Sequence, residues 1–339
     1  MATTDSNPFD VKVNPPSSLA TTAAGMAPGS WTTFSCNFVT PGTTPGTLDA
    51  LLDVGGGKRC TEYSDKMVWD SGRRQIYFTG GGHGQQEKTI VYNDDTKTWT
   101  DLGSPPWFSV NPGGATHGYQ HNTFAGSTHY FMQFATNTTI HTRNVVTGAW
   151  ALLNTSGVDL GSTGAIGSLE WFPTFGTGSL ILVSGGASDV YRWNGSTWSS
   201  VAPLPSMGGY HNVGVYSPLK DILYFGGGNG STNLYTMSKT GAITSRANSP
   251  VEFGIIASIT TVDPVSGKLI VASNDKVIRV YDPVSNAWTT DTAPPAGFWS
   301  DTIYSEGEAM GITAAPIYDY GVTMFLTISG PTVYLRKGR

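Results

Sequence analysis

Charge is scarce in this chain, and basic charge scarcer still. The 339 residues hold 19 Lys and Arg against 24 Asp and Glu, for a net charge of −5 and a pI near 5.6. Nucleic acids and anionic membranes are gripped through clustered basic residues, so neither is expected as a partner. No stretch approaches the roughly 20 apolar residues that span a bilayer, and membrane insertion is not expected. The opening residues, MATTDSNPFDVKVNPPSS, lack the basic start and apolar core of a signal peptide. The expected place of synthesis and folding is therefore a cytoplasm. Two cysteines, Cys36 and Cys60, are too few for a disulfide framework; two separate thiols are expected, with a single bridge as the alternative.

Glycine (43) and proline (20) are abundant, and aromatic residues make up 12%, a composition that suits many short strands joined by turns. Four segments show how: KMVWDSGRRQIYFTGGG (66–82), EWFPTFGTGSLILVSGG (170–186), VGVYSPLKDILYFGGG (213–228) and TTVDPVSGKLIVASN (260–274). Each is an apolar strand, a turn and a second strand, which is the pattern of a hairpin. A third alternating strand follows each of these, and also the hairpin at 117–134, and then a short strand headed by Trp99, Trp150, Trp198, Ile243 or Trp288. These heads recur at the period of a four-stranded propeller blade.

Residues 308–339 supply three further strands and then stop, while GSWTTFS around Trp31 matches the outer strand of a blade that nothing precedes. The two ends complete one another. The expected fold is all-β: a six-bladed β-propeller of four-stranded blades over 30–339, closed by an outer strand from the N-terminal side, which removes the open edges of a linear array. Residues 1–29 form an arm without repeats, of a composition expected to be disordered unless a neighbouring chain orders it. The connection 37–61, with one helical stretch in LDALLDV, is expected to cross a face of the ring, capping the channel or lining a pocket. Glycines ending the second strands and a Trp at each blade's end resemble the kelch-type β-propellers, including the central domain of galactose oxidase. The likeness implies the fold and not an activity, since such propellers serve as enzymes, adaptors and binding platforms.

The innermost strands of a propeller line its channel, so polar residues at their starts are the candidate site. These are Glu62, Asp65, His117, Tyr119, His121, Glu170, Tyr210, His211, Glu306 and Glu308. HGYQHN (117–122) partly repeats in GGYHN (208–212), matching Asn122 to Asn212 after a one-residue slip. As a regular strand it would set His117 and His121 on one side, about 13 Å apart, too far to share one metal ion. No metal or other cofactor is expected. GGGHG around His83 lacks the GK[ST] ending of a phosphate loop.

Two classes of function stay open. In a carbohydrate-active lyase or hydrolase, His117, Tyr119, His121, Tyr210 and His211 would be the acid–base candidates, although no arginine stands on an inner strand to neutralise a uronate carboxylate. The oxidase chemistry of the resembling family needs a Cys crosslinked to a Tyr, and both cysteines lie outside the blade strands. A noncatalytic binding or structural propeller asks for less. Asp65, Glu170, Glu306 and Glu308 would contact a ligand such as a glycan, and the arm would contact protein partners. A Ser/Thr/Gly-rich chain of this kind suits a bacteriophage virion or tail component. Trp107, Phe108, Phe298 and Trp299 are candidates for stacking on sugars, or for anchoring their own loops.

Overall fold

A computed structural model describes residues 17–82, 86–107, 117–133, 139–153, 167–299, 307, 309–328 and 333–339. Six antiparallel sheets follow the chain, each built outward from an inner strand. The inner strands are Val68–Asp70, Asn122–Ala125, Ser168–Phe172, Asn212–Ser217, Ser258–Val262 and Thr313–Ile317, and they define blades one to six. The second strands are the most apolar: Ser179–Val183, Leu269–Ser273 and Val322–Leu326 are buried at every position. A strand with sheets on both faces requires that pattern, and the core is accordingly a series of seams between neighbouring blades.

Closure is as expected. Trp31–Phe34 pairs antiparallel with Val333–Lys337, with Trp31 opposite Arg336 and Phe34 opposite Val333. Arg336 is 1% exposed and reaches from this strand to Asp263 Oδ2 at 2.8 Å and, through Nε, to Asp291 Oδ2 at 3.0 Å. The blade-six strand that receives the closing strand is thereby tied to blade five by a buried network in which one guanidinium meets two carboxylates.

Three details differ from the sequence expectations. Blade one carries a fifth strand, Asn37–Val39, which runs parallel to Thr98–Asp101. From there the 37–61 connection turns inward as the helix α2 (Leu48–Leu52). Its Thr47 side chain caps the Ala50 N–H, and its Leu48, Leu51 and Leu52 sit in the core shared by blades six and one. This stretch fills a seam instead of capping the channel, because three leucines gain more from burial than from lying on a ring face. In the arm, a helix α1 (Ser18–Gly25) buries Leu19 and Ala23 in the same core; from Ser17 onward the arm is covered by its own chain. Trp107 stacks on His141 with centroids 3.6 Å apart, and Phe298 and Trp299 are buried in the seam of blades five and six, so these aromatics anchor loops. Phe108 and His83 lie outside the described residues. Both cysteines are free thiols.

Candidate functional site

The inner strands approach one another closely. Parallel bridges join Lys66 to Ala314, Ser64 to Tyr119 and Gln120 to Ser168, with backbone bonds from Met67 N to Ala314 O (2.8 Å) and from Leu169 N to Gln120 O (3.0 Å). Side chains then cross the remaining space. Asp65 Oδ2 accepts from Gln120 Nε2 and from Thr260 N, both at 2.9 Å, and Gln120 Oε1 accepts from Gly214 N at 2.6 Å. Blades one, two, four and five are thus linked across the channel by one aspartate and one glutamine. Residue 214 has no room for a side chain, since a Cβ there would lie 2.9 Å from Ser168 Oγ. Burial pushes the Asp65 carboxyl up to about 7, against the lowering effect of the Thr260 and Gln120 donors and of Lys66. Its Oδ1 is buried without a hydrogen-bond partner among the described residues. This crosspiece divides the channel into two ends.

The histidines and tyrosines gather at the end where the inner strands begin. Tyr63 lies against His117 (centroids 4.3 Å) and His211 (5.9 Å), and Tyr119 lies 5.2 Å from His117, 5.0 Å from His121 and 5.7 Å from His211. The strand reading of 117–121 is therefore corrected. The regular strand starts at Asn122, and Tyr119 has a φ of 36°, so the chain bends at the tyrosine and both histidines contact it. Tyr63 (51°) and His211 (62°) are left-handed as well, which for non-glycine residues is a strained conformation concentrated at functional sites. His117 Nδ1 donates to Gly81 O at 3.3 Å and His211 Nδ1 to Asn229 Oδ1 at 2.7 Å. His117, Tyr119 and His121 are 3, 5 and 0% exposed. Tyr210 is 44% exposed and meets only the edge of this group, through His211 at 6.4 Å. Burial raises the Tyr119 hydroxyl above the ordinary tyrosine range. Glu62 is buried and paired with Lys58 at 3.5 Å.

The partial repeat between HGYQHN and GGYHN has a structural cause. Asn122 accepts from Thr79 N (2.8 Å) and donates to Thr79 O (3.0 Å), clamping the second strand of blade one. Asn212 holds the end of blade three in a similar way, accepting from Gly185 N at 2.6 Å, and it donates to Gly208 O at 2.7 Å.

The other end of the channel is an open cavity of ≈ 210 Å³ to which every blade contributes. Trp69, Phe124, Trp171 and Tyr216 each occupy the penultimate position of an inner strand and form an aromatic collar on blades one to four; Tyr318 joins it from blade six. Within the collar Lys66 Nζ donates to Leu169 O at 2.7 Å and to Glu170 Oε2 at 3.0 Å. Glu170 Oε1 accepts from Thr123 Oγ1 at 3.1 Å and from Trp171 N at 3.2 Å. Burial, with the Glu170 charge next, holds the Tyr318 hydroxyl well above its usual range. Asp65 and Glu170, candidates of one kind in the sequence, are thus separated, one into the crosspiece and one into the cavity wall. Glu306 and Glu308 lie outside the described residues. Sequence reasoning missed Lys66 and the collar. The available signal was the first residue of KMVWD, a lysine at the start of an inner strand, together with aromatics at matching hairpin positions.

No family model matches the chain, and no curated protein matches it. Among solved structures it is similar to a fungal alcohol oxidase of the AA5 family in complex with copper (TM-score 0.50, 14% identity, 80% of this chain and 62% of that one). It is also similar to the structure of YjhT (0.50, 11%, 84% and 95%) and to a chain of the mitotic checkpoint complex (0.51, 12%, 98% and 99%). The chain thus spans about three fifths of the oxidase's length. At these identities the likeness shows the fold, a six-bladed β-propeller consistent with the kelch type. Among the described residues no three His, Cys, Asp or Glu side chains are placed to hold one metal ion, and the Cys36 and Cys60 thiols are pushed up to about 12 by burial.

Proposed function

We propose that this chain is a noncatalytic binding propeller that takes its ligand in the six-bladed cavity. The observation behind this reading is that the open cavity is lined from all six blades and holds none of the five acid–base candidates; three of them, His117, Tyr119 and His121, are at most 5% exposed, while His211 is half-buried and Tyr210 is exposed. The open surface is the cavity, whose only charged side chains among the described residues, Lys66 and Glu170, neutralise each other. A bacteriophage virion remains the proposed setting, with a glycan as ligand and protein partners met through the arm. Leu19 and Ala23 are already engaged by the chain's own core, so a partner would meet the arm ahead of Ser17.

The test compares the purified full-length chain with one lacking residues 1–16, by mass in solution and by release of unsaturated or reducing sugars from acidic and neutral polysaccharides. Assembly or partner capture by the full-length chain alone, without sugar release by either form, is the expected result. The lyase reading keeps one specific observation in its favour, the three left-handed backbones around a His/Tyr group. Sugar release that vanishes in His117→Ala or His211→Ala would establish it and overturn the proposal.

A further inference from the structure

We infer that the cavity recognises the terminal, uncharged sugar ring of a glycan, through a pair of neighbouring hydroxyls. The inference rests on the binding reading above and adds the ligand class. Its first ground is the lone-pair and proton count at the ion pair. A lysine ammonium has three N–H donors and each carboxylate oxygen accepts about two hydrogen bonds. Lys66 uses two donors, on Leu169 O and Glu170 Oε2. Glu170 Oε1 accepts from Thr123 Oγ1 and shares the Trp171 N–H with that hydroxyl, while Oε2 takes one. One donor and one acceptor are left 3.0 Å apart on the cavity wall. That is the complement of a vicinal diol, in which one hydroxyl accepts from the ammonium and its neighbour donates to the carboxylate. The collar residues Trp69, Phe124, Trp171 and Tyr216 supply the apolar faces on which the C–H side of a pyranose packs.

Two further features narrow the ligand. Thr260 lines the cavity and also donates to Asp65, so the crosspiece of Asp65 and Gln120 is the cavity's inner wall. A polymer cannot thread through it, and only a chain end can enter. At ≈ 210 Å³ the cavity is smaller than the roughly 300–1,000 Å³ of drug-sized sites, which suits one ring. A uronate or sialate would place a second carboxylate beside Glu170, whose neighbouring cation Lys66 is already paired, so acidic ends are disfavoured.

The experiment titrates full-length protein with the methyl glycosides of glucose, galactose, mannose and N-acetylglucosamine, and with methyl glucuronide. It follows tryptophan fluorescence and saturation-transfer NMR. At least one neutral glycoside should bind at millimolar concentration and the glucuronide should not. Glu170→Gln, nearly isosteric, should weaken binding about tenfold or more, and Trp171→Phe should weaken it less, with circular dichroism unchanged in both. Failure of every neutral glycoside to bind, indifference to Glu170→Gln, or preference for the glucuronide would overturn the inference. Sugar release abolished by His117→Ala would defeat the noncatalytic reading alone, because the glycoside titration reads the cavity and not turnover.

Discussion

Asp65 offers the sharpest test of the channel geometry. Its carboxyl rises from 3.8 to about 7 because it is buried, 1% exposed, with one oxygen lacking a partner among the described residues. Between those values the native state keeps a proton that the unfolded chain releases. The stability linked to this group is therefore complete below pH 4 and is lost as pH rises toward 7. A tenfold change in proton affinity is worth about 1.4 kcal/mol, so the whole rise amounts to at most about 4 kcal/mol. Asp65→Asn removes the ionisation while keeping an oxygen for Gln120 and Thr260, at the cost of an amide N–H placed where Oδ1 is now unpartnered, about 1–3 kcal/mol. About 1.6 kcal/mol of the linked stability is already lost at pH 5 and all of it by pH 8, so the variant should gain on the parent by about 2–3 kcal/mol between pH 5 and pH 7 and be the more stable of the two at pH 8. Urea unfolding followed by tryptophan fluorescence at half-unit steps from pH 5 to 8 measures the difference. A stability difference independent of pH, or one that favours the variant most at pH 5, would refute the placement of a desolvated carboxyl across the channel.

Other parts of the structure make equally direct predictions. Arg336→Ala leaves Asp263 and Asp291 buried without their main cation and should cost about 3–5 kcal/mol, read as a lowered thermal midpoint; Arg336→Lys should recover only part of it. Asn122→Ala strips both clamps from Thr79 and a 2.9 Å acceptor from His129, an expected loss of about 2–4 kcal/mol in urea unfolding. The Cys36 and Cys60 thiols, raised to about 12 by burial, should react with a disulfide reagent at pH 8 far more slowly in the native protein than in denaturant, because only the thiolate attacks. Rapid native labelling of Cys60 would contradict its burial in the seam of blades six and one.

The repeat was legible because its signals are local. Strand alternation, turn residues and Trp-headed outer strands recur along the chain, and counting three strands after residue 308 left one strand to be found at Trp31, where the structure places it. The helical stretch LDALLDV was legible for the same reason, as Leu48–Leu52. What the helix covers was not, since that depends on which seam is left unfilled once the ring closes. The same limit applies to 117–121: the residue types suggest a strand, whereas the backbone turns left-handed at Tyr119, where Ser64 bridges to it from blade one.

By itself, then, the sequence determined an all-β ring, its blade count, its closure and a short set of polar residues at the inner strands. Only the tertiary structure decided which of them act together. Lys66 and Glu170 are 104 residues apart, and Asp65 and Thr260 are 195 apart, so no local pattern couples them. The curvature of the ring brings six inner strands to one axis, where the placement of a side chain by one or two residues along its strand decides between a buried crosspiece and the wall of an open cavity. Register around the ring is a property of the packed blades, and it set the His/Tyr group at one end of the channel and a lysine–glutamate pair in the wall of the cavity at the other.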